Sequence, residues 1–354
     1  LYLDFTYYKT DSRNQILKLA TTAASGYTSQ VRNAGHIRNR GYEIQLGAVP
    51  IQTSKGFRWN LDLNYGANSS KVVKLDDEGL ITSYQLYSSG IQILASVGEA
   101  YGTLFGTSYV RDANGNVVVD ANGLPKISTT NKTLGKFTPD WTGGISNTFS
   151  YRSLSLSFLI DASVGGSIFS NTNKTGKYTG VLANTLSGRD AEHGGLWYYT
   201  DAMGNNVRLS ESPSYSVSSD GLYYAQVNGQ STRVYQDGIM VEGVTESGSK
   251  NEEVVSAEKY YHRIYSIAEA NVYDASYVKL REVALSYRLP RLWTQKLHLQ
   301  EASVTLTGRN LWTIYKSVPN IDPESALTTG NAQGVEAYSL PTTRSFGVNL
   351  SVKF

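Results

Sequence analysis

Apolar and polar residues alternate with a period of two through most of this chain, and helical periodicity is nearly absent. The sharpest case is "FRWNLDLNYG". Phe57, Trp59, Leu61, Leu63 and Tyr65 fall on one side, and Arg58, Asn60, Asp62, Asn64 and Gly66 on the other. Successive side chains of a strand point to opposite faces, so the run predicts a strand with one apolar and one polar face. Seven further runs behave likewise: "LYLDFTYYKT", "GYEIQLGAV", "PDWTGGISNTFSY", "SLSLSFLID", "LREVALSYRLP", "ASVTLTGRNLW" and the closing "RSFGVNLSVKF". In the last, Phe346, Val348, Leu350, Val352 and Phe354 are apolar and the residues between them small or polar.

The connections carry equal information. "QTSKG", "YRS" and "PRLWTQKLHLQ" are short or modest, whereas residues 11–40, 70–138, 164–274 and 314–343 are long. Short and long alternate strictly. In a meander this places all the tight turns at one end and all the long loops at the other, as in outer-membrane barrels. A soluble antiparallel sandwich also alternates apolar with polar. Against it stand Arg58, Asp62, Glu282, Arg288 and Arg309 in mid-strand, as a wet lumen would have them. The apolar faces also end in aromatic rings, Phe57 with Tyr65 and Trp141 with Tyr151, and such rings settle at a lipid–water boundary. The expected fold is therefore all-β, a transmembrane antiparallel barrel with long extracellular loops. Eight strands can close a small barrel, and a wider barrel fits the alternation equally.

Composition changes this picture little. Tyr (26) and Gly (33) are abundant and Pro (8) is scarce, which suits strands and turns. The absence of Cys removes disulfides, thiolate metal sites and thiol nucleophiles. A net charge of +2 leaves no field for nucleic acid. No apolar run is long enough for a membrane helix, which leaves barrel strands untouched. His36, His193, His262 and His298 lack metal-ligand spacing and are expected on surfaces or loops. Neither a catalytic elbow nor a phosphate-cradling loop is present, so no enzyme, metal or cofactor is expected. In "RDANGNVVVDANG", Asp112, Asn114 and Asn116 start like a calcium loop, but Val117 stands where Gly is needed and no Glu follows. Asn114–Gly115 and Asn122–Gly123 are expected as turns. "NIDPES" (Asn320–Ser325) is expected as a plain turn, and one short helix is expected around Glu252–Tyr261.

Several stretches resemble SusC/RagA-type TonB-dependent outer-membrane transporters of Bacteroidetes. They are "NAGHIRNRGYEIQLGAVPI" with "FRWNLDLNYGANSSKV", "VGEAYGTLFGTSYVRDANGNVVVD", "LGKFTPDWTGGISNTFSYRSLSLSFLIDASVGGSIFS", "VYDASYVKLREVALSYRLP", "LTGRNLWTIYKSVPNIDPES" and "RSFGVNLSVKF", in the family's order. The resemblance implies that residues 1–354 are the C-terminal part of the barrel, its last eight of 22 strands, with the plug domain and TonB box missing. Leu1, in place of Met and already in a strand pattern, fits that expectation. Leu1–Thr10 is then expected not to pair with Arg344–Phe354. The family implies import of oligosaccharides, or in some members peptides, under a SusD-like surface lipoprotein and driven by TonB–ExbB–ExbD. It also implies that the final strand, through Phe354, serves as a membrane-insertion signal.

Candidate substrate contacts come from two places. Trp197, Tyr198, Tyr199, Tyr223 and Tyr224 lie in polar, Gly-rich surroundings of the longest loop, where rings can stack on sugar C–H faces. The same rings can instead pack the loop or meet the lipoprotein lid. Arg58, Asn60 and Asp62 on the polar face are the alternative contacts, shared with the plug in the family. Two other functional classes fit the strands without the resemblance: a self-contained eight-stranded barrel with an enzymatic or adhesive loop face, and a soluble carbohydrate-binding β protein.

Overall fold

The computed structural model describes residues 1–20, 29–76, 78–296 and 298–354. Eight strands form one antiparallel wall: β1 (Tyr2–Ala20), β2 (Ser29–Gln52), β3 (Phe57–Lys74), β4 (Trp141–Tyr151), β5 (Leu154–Val164), β6 (Tyr277–Arg288), β7 (Glu301–Lys316) and β8 (Ser345–Lys353). They are ordered as a simple meander, and β1 and β8 occupy the two edges without pairing to each other.

Register explains why the alternation is so clean. Cross-strand partners share a face, so the apolar positions line up in rows across the wall. One row runs Leu3, Leu46, Leu63, Ile145, Ile160, Leu280, Trp312. A second runs Trp59, Phe149, Leu156, Leu285, Leu306, Val348. These rows are exposed: Leu156 is 40% and Leu285 39% accessible, Leu306 52% and Val348 73%. A soluble sandwich would bury them, so the apolar face needs a hydrocarbon surrounding. The indole of Trp59 donates to Asn147 Oδ1 (3.0 Å), which satisfies the one amide among these outer positions of β4.

The opposite face is polar. Its central row is Tyr2, Gly47, Asp62, Ser146, Leu159, Glu282, Arg309, Ser345. Gly47 has no side chain because the Tyr2 ring lies across it, reaching Asp62 Oδ1 (3.0 Å) on the strand beyond. Tyr8 covers Gly41 in the same way and reaches Asn68 Oδ1 (3.3 Å).

All tight connections sit at one end. Arg152 adopts a left-handed φ of 53° to close the two-residue β4–β5 hairpin. The β6–β7 connection contains a short helix, Arg291–Lys296. The long connections gather at the other end. Residues 11–20 and 29–40, expected as loop, instead continue β1 and β2 as a paired ladder, Asp11 facing Arg38 and Ala20 facing Ser29. The centre of that expected loop, 21–28, lies outside the described residues. Past the membrane belt Asp11, His36 and Arg38 take the positions of the apolar row, so the period-two signal fades although the strands continue.

The other three connections fold together as a crown. The first builds a four-stranded sheet (Ser83–Ser88, Gln92–Ser96, Tyr101–Gly106, Lys132–Lys136), and the second a six-stranded sheet between residues 196 and 256. The second also carries α1 (Asn171–Thr179) and α2 (Ala257–Tyr265). One apolar core joins Ile91, Ile93 and Leu104 of the first connection, Phe169 and Ala268 of the second and Val335 of the third.

The expected helix at Glu252–Tyr261 is thus displaced to Ala257–Tyr265. Val254–Ser256 pairs with Gly238–Met240 as strand, and the Ser256 hydroxyl then caps the helix by accepting from Lys259 N (3.3 Å). The sequence of α1, "NTNKTGKYT", gives little helical signal. It folds because Ser170 caps Asn173 N (3.0 Å) and because fully buried Glu336 accepts from Ser170 Oγ (2.7 Å), Thr172 N (3.3 Å) and Thr172 Oγ1 (2.6 Å) at its N-terminus.

Candidate functional site

The inner face of the wall and the crown above it make up the candidate site. Arg58, Asn60 and Asp62 follow one another at i, i+2 spacing on β3, all on the polar face, and Arg58 Nε donates to Asn60 Oδ1 (2.8 Å). Around them hydroxyls bridge neighbouring strands: Ser150 to Ser155 (3.1 Å) and Ser286 to Thr305 (2.6 Å). Further along, Arg309 Nε donates to Glu282 Oε2 (2.8 Å). The surface is a mesh of donors and acceptors.

At the crown end of β6 the ladder breaks by one residue between Leu280 and Glu282. This bulge leaves Arg281 unpaired in the ladder and turns it to the polar side beside Lys279. There Arg281 Nε donates to Asp161 Oδ2 (2.8 Å), and its guanidinium also grips Glu324. Lys279, with 3% of its side chain exposed, donates to Asp322 Oδ1 (2.6 Å) and Glu324 Oε2 (2.5 Å). Tyr277 Oη donates to Glu324 Oε1 (3.0 Å). "NIDPES", expected as a plain turn, therefore supplies the two acids that fasten the third connection to the wall. Burial alone would raise the Asp322 carboxyl. The Lys279 ammonium and the Thr342 hydroxyl overcome this and lower it to about 2. Glu324 is likewise held below the usual carboxylate range, burial being outweighed by Arg281 and Lys279.

The aromatic candidates separate. Trp197 is 7% and Tyr198 4% exposed. Trp197 packs in the core of the six-stranded sheet with Ala225 and Val234, stacks on Tyr215 at 5.1 Å and meets Tyr223 edge-on at 5.8 Å. Tyr198 stacks on Tyr235 at 5.1 Å and donates to Asp237 Oδ1 (3.1 Å). Tyr199 and Tyr224 are half-buried. The wall residues Arg58, Asn60 and Asp62 are brought together by the fold, and the five rings form a separate group in the crown sheet. The turns at Asp112 and Asp120 close as expected: Asp112 Oδ1 accepts from Asn114 N (2.9 Å) and Asn116 N (2.8 Å), and Asp120 Oδ1 from Asn122 N (3.0 Å). Their second oxygens are taken by side chains: Asp112 Oδ2 accepts from Asn116 Nδ2 (3.0 Å) and Asp120 Oδ2 from Arg263 Nη2 (3.0 Å). His36, expected on a surface or loop, is instead buried in β2 and bonded to Asp11 Oδ1 (2.6 Å).

Compared with known proteins, the chain is 26% identical over its whole length to TonB-dependent receptor P3 of Formosa agariphila. The resemblance to TonB-dependent receptors holds from end to end. TonB-dependent receptor P26 of the same organism is 24% identical, again over the whole chain. The fold is that of the RagAB peptide transporter, covering 99% of this chain with a TM-score of 0.60 at 19% identity. The RagAB importer in its "closed-closed" state gives 0.61 at 18%. The wall thus has the fold of part of the RagAB barrel. The chain spans about a third of the length of these relatives. All are named as receptors or transporters, none as an enzyme. No family model matches the chain.

Proposed function

We propose that the chain is the wall and loop crown of an importer in the outer membrane, working with an energy-coupling TonB–ExbB–ExbD system and a SusD-like surface lipoprotein. The eight strands belong to a wider barrel of about 22 strands, with a plug supplied by residues outside this sequence. The cargo is an oligosaccharide or a peptide. The observation that carries the proposal is the pair of faces on one wall: rows of exposed leucines outside, a hydrogen-bonding mesh inside, and a folded crown at only one end. The names of the full-length relatives and the likeness to the RagAB transporter support it further.

Cargo moving along the inner face meets Arg58, Asn60 and Asp62. In the crown, Tyr199, Tyr223 and Tyr224 offer ring faces, while Trp197 and Tyr198 hold the sheet that presents them. Phe346, Val348, Leu350, Val352 and Phe354 form the terminal insertion signal. Uptake of fluorescent oligosaccharides and peptides by cells with and without the gene, and with TonB deleted, tests the proposal. Gene loss and TonB loss are expected to abolish uptake of the same cargo; uptake that survives TonB deletion would refute it.

A further inference from the structure

Two adjoining cavities, of 690 and 530 Å³, open in the crown beside α1 and α2 and share Lys177 and Tyr261 as lining. Both volumes fall in the range of small-ligand sites. The smaller one has an unusual charge pattern. Lys177 and Arg189 line it from the α1 side, and Asp237 and Glu258 from the other. None of these four lies within ion-pair distance of an opposite charge among the described residues.

Lys177 is 9% exposed, donates to Ala270 O (2.8 Å) and Asn271 Oδ1 (3.3 Å), and lies 5.2 Å from the centre of the Tyr273 ring, all of them neutral groups. Arg189 spends donors on Gly180 O (2.6 Å) and Thr185 Oγ1 (2.9 Å), again neutral groups. Burial lowers the Lys177 ammonium to about 8. Burial raises the Asp237 carboxyl, the Tyr198 hydroxyl holds it back in part, and the negative charge of Glu258 adds to the rise. A buried ammonium and a half-buried carboxylate thus line one cavity without pairing, with the exposed Arg189 and Glu258 at its edge. Lys177 and Asp237 bear a burial cost that a ligand carrying both signs would offset. A stacked pair, Tyr178 on His262 at 4.1 Å, adds aromatic lining to the same cavity.

We infer that this cavity binds a small zwitterion of the amino-acid class, its carboxylate toward Lys177 and Arg189 and its ammonium toward Asp237 and Glu258. A free amino acid and the two ends of a short peptide share this chemistry, and the larger adjoining cavity leaves room for side chains. The inference deepens the import proposal and rests on it only for the route by which the ligand arrives.

The test is titration calorimetry on the full-length transporter in detergent. Glycine and L-alanyl-L-alanine separate the two sources of the zwitterion, and N-acetyl-L-alanyl-L-alaninamide and a neutral disaccharide serve as uncharged probes. At least one zwitterion is expected to bind, with the uncharged probes weaker by about tenfold or more. Lys177→Met and Asp237→Asn should each weaken it by a similar factor. Arg189→Met tests the same point should Lys177→Met disturb the crown. Equal binding of the blocked dipeptide, indifference to all three substitutions, or no zwitterion binding by protein that still shifts on heating in gel electrophoresis would overturn the inference. TonB-dependent uptake of any cargo by the same cells would in that event leave the import proposal standing.

Discussion

Replacing Lys279 by Met tests how the third connection is held to the wall. The substitution keeps the length and apolar stem of the side chain and removes only the ammonium. Asp322, with 8% of its side chain exposed, then loses its cation, whereas Glu324 keeps Arg281. Removing one partner of a buried pair costs 3–5 kcal/mol, and the surviving Arg281 and Thr342 contacts place this case at about 3 kcal/mol. At 1.4 kcal/mol per factor of ten, local opening of residues 317–343 should become roughly a hundredfold more frequent. Hydrogen exchange of the full-length protein in detergent reads this directly. Amides of 317–343 should lose that protection while those of β3, β4 and β5 keep theirs. Adding Asp322→Asn to Lys279→Met should restore most of the protection, because the stranded charge is then gone. Exchange in 317–343 within about twofold of the parent would refute the assignment of Lys279 as the fastening cation.

Acid should open the same segment. The carboxyls of Asp322 and Glu324 are lower in the folded protein than their ordinary values of 3.8 and 4.5. Their contribution is therefore complete above pH 4.5 and fades as pH falls toward about 2, measurable as rising exchange of 317–343. Gly47→Val should displace the Tyr2 ring, because an added Cβ would lie 1.8 Å from its Cε1. The cost of such overpacking is about 1–3 kcal/mol, seen as a lower temperature for the heat-induced gel shift of the barrel. Trp197→Ala should cost about 3–5 kcal/mol within the six-stranded sheet, exposing residues 196–240 to protease, whereas Tyr224→Ala should leave proteolysis unchanged. Phe354→Ala should lower the yield of heat-modifiable barrel several-fold in cells; an unchanged yield would remove Phe354 from the insertion signal.

The wall was legible in the sequence and the crown largely was not, for one physical reason. A strand between lipid and a wet lumen must alternate, so Leu154, Leu156 and Phe158 or Val348, Leu350 and Val352 announce themselves. Where β1 and β2 leave the membrane, Asp11, His36 and Arg38 bond across the ladder (2.6 and 2.8 Å) on the face that is apolar further down, so the alternation fades. Helix α1 depends on Glu336, more than 150 positions away along the chain, so local propensity could not reveal it. The rings at 197–199 and 223–224 stood out by composition, yet composition does not separate a ring that packs a sheet from one that faces a ligand. Of the residues that matter most to the site, Lys279 and Arg281 were within reach. Their spacing to Glu282 breaks the alternation of "YVKLREVALSY" at the bulge, and two cations at such a break call for acids elsewhere.

Cysteine scanning of β8 with lipid-soluble and water-soluble probes tests the outward apolar face most directly. These 354 residues contain no Cys to interfere. Single cysteines placed from 345 to 353 in the full-length protein, reconstituted in vesicles, should react in strict alternation. Positions 346, 348, 350 and 352 are predicted to favour the lipid-soluble maleimide, and 345, 347, 349, 351 and 353 the water-soluble one. Uniform labelling along the strand, or the reverse alternation, would contradict the account.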